Sequence, residues 1–173
     1  KAMRKLKQFL DDLGGIGVLD FRELMSRLFL EEQISLFKRE TLLRPGHPRA
    51  WKMLGFAYLL EGFFDSTNYL LAAEAYAECI RRISRYPAGI IKGLVAAGIG
   101  PLTPNRPRFE LGLALVGAGE IESAVHHLWL CEAGRAVLAR DDGDSIKDTL
   151  KTVLKEYQLM RLGEFCADRL LPH

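Results

Sequence analysis

The side chains with reactive potential gather at His126, His127, Cys131 and Glu132. On a helix, His127 and Cys131 would share one face and could offer a nitrogen and a thiolate to one metal ion. A closed zinc site needs four ligands, and no second His/Cys cluster stands elsewhere in the chain. His126 points to solvent, and Cys131 reads as a small packed thiol, neither ligand nor nucleophile. Gly14, Gly15 and Gly17 have the composition of a phosphate-cradling loop, but their spacing fits neither common pattern and no strand precedes them. They read as a helix stop and a turn. Asp141-Asp142-Gly143-Asp144 is acidic without the alternate carboxylates, glycine and distant Glu of a calcium loop, and reads as a turn. No Ser/His/Asp order or paired-carboxylate motif appears. No catalytic residue, metal ligand or cofactor site is therefore assigned, and the chain is read as not an enzyme.

Composition narrows the remaining classes. The chain has 173 residues, 49% hydrophobic and 27% charged, which describes one globular domain and not a disordered segment. A formal charge of +2 gives no reason to expect nucleic acid. The basic residues Lys1, Arg4, Lys5 and Lys7 alternate with apolar ones, as on the solvated face of a helix. Cys79, Cys131 and Cys166 are odd in number and not closely paired, which suits a reducing, cytoplasmic setting. No stretch approaches the roughly 20 apolar residues of a membrane helix, and no signal-peptide pattern opens the chain. The start at Lys1 and not Met is read as that of a trimmed or excised piece.

The elements that would carry any site are helical. Apolar residues recur three and four apart, with no sustained two-residue alternation. Residues 1–47 read as N-terminal helices: Ala2–Leu13 is amphipathic, stopped by Gly14-Gly15, and Asp20 caps the next helix with Glu23 reaching back. Over 20–43 one long helix and a degenerate helix pair are both open. Residues 48–87 form a helical hairpin opened by His47-Pro48, with Asp65, Ser66, Thr67 and Asn68 all able to cap its second helix. Residues 88–106 read as a short buried helix over Ala88–Ile99 and a proline connector. Residues 107–140 form a second hairpin, and residues 141–173 a final helix with a capping box of Ser145 and Asp148. That helix carries Ile146, Leu150, Val153, Leu154, Tyr157, Leu159, Met160 and Phe165 as its apolar face.

The two hairpins match each other. Leu54-Gly55, Tyr58, Gly62, Ala72, Tyr76 and Cys79 correspond in order to Leu111-Gly112, Leu115, Gly119, Ala124, Leu128 and Cys131. Trp51-x-x-Leu54-Gly55-x-x-Tyr58 followed by Ala72-x-x-x-Tyr76 resembles a tetratricopeptide repeat, apart from a lengthened turn at Phe63–Thr67 and Arg108 in place of the second Trp. The resemblance implies an all-α fold, a tetratricopeptide-like array of helical hairpins winding into a superhelix, with flanking N- and C-terminal helices. It also implies a protein–protein interaction module, adaptor, scaffold or chaperone-like, that takes a peptide or partner helix in a concave groove. By that register Arg49, Lys52, Phe56 and Leu59 line the groove from the first hairpin, and Phe109, Leu113 and Val116 from the second. In the peptide-carboxylate-binding subset Lys52 matches a groove position, but Phe56 stands where an Asn is expected and Leu113 at the equivalent place. An amphipathic helix or hydrophobic peptide fits better. Phe63 and Phe64 either fold back as a plug or project to anchor a partner or a second copy of the chain. Two alternatives stand beside the interaction module: a helical pocket for a small apolar ligand, and a regulatory or assembly domain of a larger enzyme.

Overall fold

In the computed structural model, residues 18–85, 87, 89, 90, 92, 104–140, 143 and 145–170 are described, with the backbone alone at 18–28 and 166–170. Apart from helical residues at 89, 90 and 92, the described residues form seven helices, with no strand among them. They are α1 (Val18–Leu43), α2 (Pro48–Glu61), α3 (Asn68–Ser84), α4 (Asn105–Gly117), α5 (Ile121–Trp129), α6 (Glu132–Leu138) and α7 (Ile146–Leu170). The expected helix at Ala2–Leu13 and the glycines that follow it lie outside the described residues. Of Ala88–Ile99, only Gly89, Ile90 and Lys92 are described; these three are helical and exposed, not buried.

Residues 18–43 form a single helix of 26 residues with no internal turn. Val18 is already helical, so Asp20 lies within the first turn and is not the cap. Between α1 and α2 the chain turns at Arg44–His47, and two side chains lock the corner. Trp51 Nε1 and Arg82 Nε both donate to the Pro45 carbonyl, at 2.9 and 2.7 Å. The arginine also stands over the indole, 5.8 Å from its centroid. Pro48 occupies the first turn of α2, where a missing N–H costs nothing.

α2 and α3 pack as one hairpin, α4 and α5 as another, and the contact that closes each is the same. A Cβ built at Gly55 would lie 3.0 Å from the Tyr76 ring, and one built at Gly112 would lie 2.6 Å from Leu128. A glycine on the first helix thus admits a large side chain from the second, at the two positions the sequence pairs with each other. Interior glycine costs about 1 kcal/mol of helix propensity against Ala, and here the close packing of Tyr76 and Leu128, both 0% exposed, offsets it. The hairpins join through Tyr69 of α3, whose ring sits against Gly62 of its own hairpin and Gly117 of the next.

Their turns differ. The longer first turn winds on beyond α2: the Gly62, Phe63, Phe64 and Asp65 amides donate back to Tyr58, Leu60, Glu61 and Glu61 carbonyls in that order. Asp65 Oδ1 then accepts from the Thr67 amide and hydroxyl, at 3.1 and 2.7 Å, so a side-chain turn launches α3. The second hairpin turns tightly at Gly119, which adopts φ +83°.

The second hairpin departs from the expected pattern after Trp129. α5 ends there, Cys131 is extended (φ −134°, ψ 151°), and α6 begins as a separate short helix. Cys131 therefore does not continue the helix that carries His127. The break has a packing cause: Gly134 lies against the Leu128 carbonyl so closely that no Cβ fits. α6 consequently folds back onto the end of α5.

α7 begins at the expected capping pair. Ser145 Oγ donates to Asp148 Oδ2 at 2.8 Å and accepts from the Asp148 amide at 3.3 Å. The helix then touches α6, α4, α2 and α1. Leu150, Val153 and Leu154 enter the main core with Leu59, Leu113 and Tyr76, while Leu162 joins a second cluster with Leu30 and Leu60. Leu159 and Met160, assigned above to the apolar face, point outward at 51% and 54% exposure. Gln158 takes the inward position, on the stripe of Leu150, Leu154 and Leu162.

Replacing Gly112 by Leu forces a side chain into Leu128 and should lower stability by about 1–3 kcal/mol in urea denaturation. Gly46→Ala, with nothing within 4 Å of the added carbon, is the matched control and should leave the midpoint essentially unmoved.

Candidate interaction site

The groove residues assigned from the repeat register fall on α2 and α4, the two helices that α7 crosses. Leu59 and Leu113 are 0% exposed and Val116 is 2% exposed. They are buried core, not open lining. Phe56 is half-buried beneath the Arg161 guanidinium of α7, 4.8 Å from its ring centroid. Phe109 meets Tyr157 of α7 edge to face, with centroids 5.7 Å apart. Arg49 is exposed and Lys52 half-buried on α2. Phe63 and Phe64 point differently. Phe64 packs inward against the Leu30, Leu60 and Leu162 cluster, and Phe63 stays at the surface, edge-on to Phe64.

The centre of this face is polar. Glu110 of α4 is 1% exposed and gathers three donors: the Tyr76 hydroxyl on Oε2, and on Oε1 the Tyr157 hydroxyl at 2.7 Å and Arg106 Nε at 3.1 Å. Each donor lies on a different turn or helix, so the carboxylate ties α3, α4 and α7 together. Burial, and then the Glu110 charge, push the Tyr76 and Tyr157 hydroxyls above the usual phenol range, so both remain protonated donors. Lys52 lies within the same field. Burial lowers its ammonium from the ordinary lysine range, opposed by Glu110 and reinforced by Arg106.

The next residue of α7 after Tyr157, Gln158, makes a second polar join. Its Nε2 donates to the Leu59 carbonyl at 2.8 Å and to the Tyr69 hydroxyl at 2.9 Å, and its Oε1 lies 3.2 Å from the same hydroxyl. Leu59 sits in the last turn of α2, where carbonyls lack helical partners. Glu110, Tyr157, Gln158 and Arg161 were not assigned by the register. The available signals were the Arg106/Glu110 spacing and the place of Gln158 on an i, i+4 apolar series.

Beyond Gln158 the face opens into a pocket of about 210 Å³ between α1, α2 and α7. Leu30, Phe37, Met53, Phe56 and Phe165 supply its apolar wall, and Gln33, Arg161 and Glu164 its polar edge. On the other side of α2, between α1 and α3, lies an open trough of about 610 Å³ floored by Trp51, Leu54 and Tyr58. Five charged side chains rim it: Lys38, Glu74, Glu78, Arg81 and Arg82.

The Cys131 thiol turns back toward the His127 and Leu128 carbonyls, at 3.9 and 3.5 Å. His127 Nδ1 is buried without a hydrogen-bond partner, and burial, His126 and Arg108 lower its pKa. Among the described residues no three of His, Cys, Asp and Glu are grouped to hold a metal ion, and no helix is long and apolar enough to cross a membrane. Cys79 is 1% exposed, and burial pushes its thiol up to about 12.

Tyr76→Phe strips Oε2 of its donor at a fully buried carboxylate and should cost about 1.5–3 kcal/mol. Tyr157→Phe should cost less, because Arg106 still serves Oε1. Urea denaturation of both variants gives the order. Iodoacetamide at pH 8 followed by mass spectrometry should leave Cys79 unmodified in the folded chain and label it in denaturant. Comparison of the chain with protein-family models, curated proteins and solved structures finds no match, so its function is argued from this geometry.

Proposed function

We propose that this chain is a protein–protein interaction module, a cytoplasmic adaptor or scaffold of chaperone-like type built from tetratricopeptide-type hairpins. It takes a partner's peptide or amphipathic helix on the face of α2 and α4. The observation that carries this reading is that the face already holds a helix. α7 lies across it, touching Phe56, Leu59 and Phe109. These are residues assigned to a peptide groove from the repeat pattern alone.

The unfilled end of the face is where a partner's anchor enters. Small-molecule pockets run to about 300–1,000 Å³. The space beside Phe56 is about 210 Å³, suited to one large apolar side chain and not to a whole ligand. The larger trough is open and rimmed by five charges, which does not suit an apolar ligand either. Both volumes favour the peptide reading over the ligand pocket. Arg161, paired with Glu164 at 2.6 Å, sets a charged edge beside the anchor.

The test is affinity capture from the native host with three baits: the parent, Phe56→Leu and Phe56→Ser. The parent and Phe56→Leu should retain a common partner. Phe56→Ser should lose it by about 30-fold, as truncating a buried aromatic anchor typically costs about 2 kcal/mol. Equal capture by all three at matched melting temperature, or a small apolar molecule co-purifying in native mass spectrometry, would overturn the reading.

A further inference from the structure

α7 is held on the α2–α4 face by contacts other than the glycine contacts that close and join the two hairpins. The two hairpins close on themselves through Gly55–Tyr76 and Gly112–Leu128, and they join through Tyr69 between Gly62 and Gly117. None of these contacts involves α7. By contrast α7 binds by a single stripe, Leu150, Leu154, Gln158 and Leu162, each at most 7% exposed, flanked by Val153 and Tyr157. Two adjacent residues, Tyr157 and Gln158, supply its buried polar joins, and an exposed Glu156–Arg140 ion pair at 3.6 Å adds one at the surface. We infer that α7 is an exchangeable occupant of this face, standing in for a partner helix that carries the same apolar stripe with an aromatic hydroxyl and an amide side by side at its centre. This rests on the interaction reading above and adds the chemistry of the partner.

Two features make the exchange physically reasonable. The first is that the face has vacancies cut for such a helix. In the turn after α2 the Tyr58, Leu60 and Glu61 carbonyls accept from turn amides, and the Leu59 carbonyl between them accepts from Gln158. The winding of the lengthened turn leaves that one acceptor facing α7. The second is that release strands no charge. Glu110 keeps the Tyr76 hydroxyl and Arg106 when Tyr157 leaves. The Leu59 carbonyl and the Tyr69 hydroxyl, uncovered together, are open to water. A buried group abandoned by its partner is costly, whereas one that regains water loses only the modest net value of its hydrogen bond. The polar joins therefore fix which residues of the helix sit where, without making its departure prohibitive.

The probe is a fluorescently labelled synthetic peptide of residues 146–165, titrated into the full chain and monitored by anisotropy. A chain carrying Tyr157→Phe and Gln158→Ala holds its own α7 less tightly. That chain should bind the peptide about 10–100-fold more tightly than the parent does, since apparent affinity scales with the open fraction. A peptide with the same two changes should bind the weakened chain worse than the parent peptide. Hydrogen exchange on the unmodified chain guards against misfolded variants: α7 amides should exchange faster than those of α3. Absence of peptide binding to either chain, or protection of α7 equal to that of α3, overturns the inference. If exchange fails while Phe56-dependent capture persists, only this inference falls. Should exchange hold while nothing is captured, only the partner reading falls.

Discussion

Burial of the Glu110 carboxylate is the constraint on which the arrangement depends. A carboxylate at 1% exposure is costly by several kcal/mol unless donors replace its water. Here two tyrosine hydroxyls and an arginine replace it, and they come from three helices. Tyr76 can reach Glu110 only by lying flat across Gly55, and Tyr157 only if α7 keeps its register over Phe109. The charge thus converts two packing contacts into one mutually dependent set. An all-apolar centre of the same volume could be more stable, but it would tolerate sliding of α7 in a way that this one does not.

Tyr69 repeats the device one heptad earlier on α3. It too lies against glycine, in its case Gly62 and Gly117, and its hydroxyl too ends on a polar partner, Gln158. Residues 69 and 76 fall on the same side of one helix, so α3 presents two tyrosines as struts. Each has its ring in a notch made by a missing side chain and its hydroxyl at a polar centre. One strut reaches α4 and the other α7. Both hydroxyls are raised by burial, which keeps them in the protonated form the joins require.

Much of this fold could be read from residue order, and the exceptions share a physical reason. Pro48, the Ser145/Asp148 pair and the Gly55/Gly112 match are local signals, and α2, α7 and the two hairpin contacts appear where they point. The break between α5 and α6 had no such signal, since neither Leu130 nor Cys131 is a helix breaker. It arises from Gly134 pressing on the Leu128 carbonyl, a contact made only after the chain has turned. Glu110 and Gln158 are polar residues at buried positions, which by type alone read as solvent-facing. Apart from Arg106, four residues before Glu110, their partners lie tens of residues away, and only tertiary contact makes them interior. Leu159 and Met160 failed in the opposite sense, apolar by type and outward by helical phase. Of the residues assigned to a groove, Phe56 and Phe109 contact α7. Leu59, Leu113 and Val116 belong to the buried core that the hairpins and α7 share.

The lengthened turn ties these observations together. A tight turn after α2 would have spent the end of that helix on its own capping, as the second hairpin does at Gly119. The extra residues instead wind on, seat Phe64 on Leu60 and Leu162, and leave the Leu59 carbonyl for a donor from outside the hairpin. They also place Gly62 where Tyr69 can pass it to reach α7. A single local departure from the repeat pattern therefore creates an apolar seat for the end of the crossing helix and a polar socket for its middle. The Glu110 centre on α4 supplies the second socket, adjacent along α7. With two sockets matched to consecutive residues, a shift of α7 by one position would put Tyr157 at the amide site and Glu156 at the other, or Gln158 at the aromatic site and Leu159 at the amide site. The face therefore fixes the register of α7 as well as covering its apolar stripe.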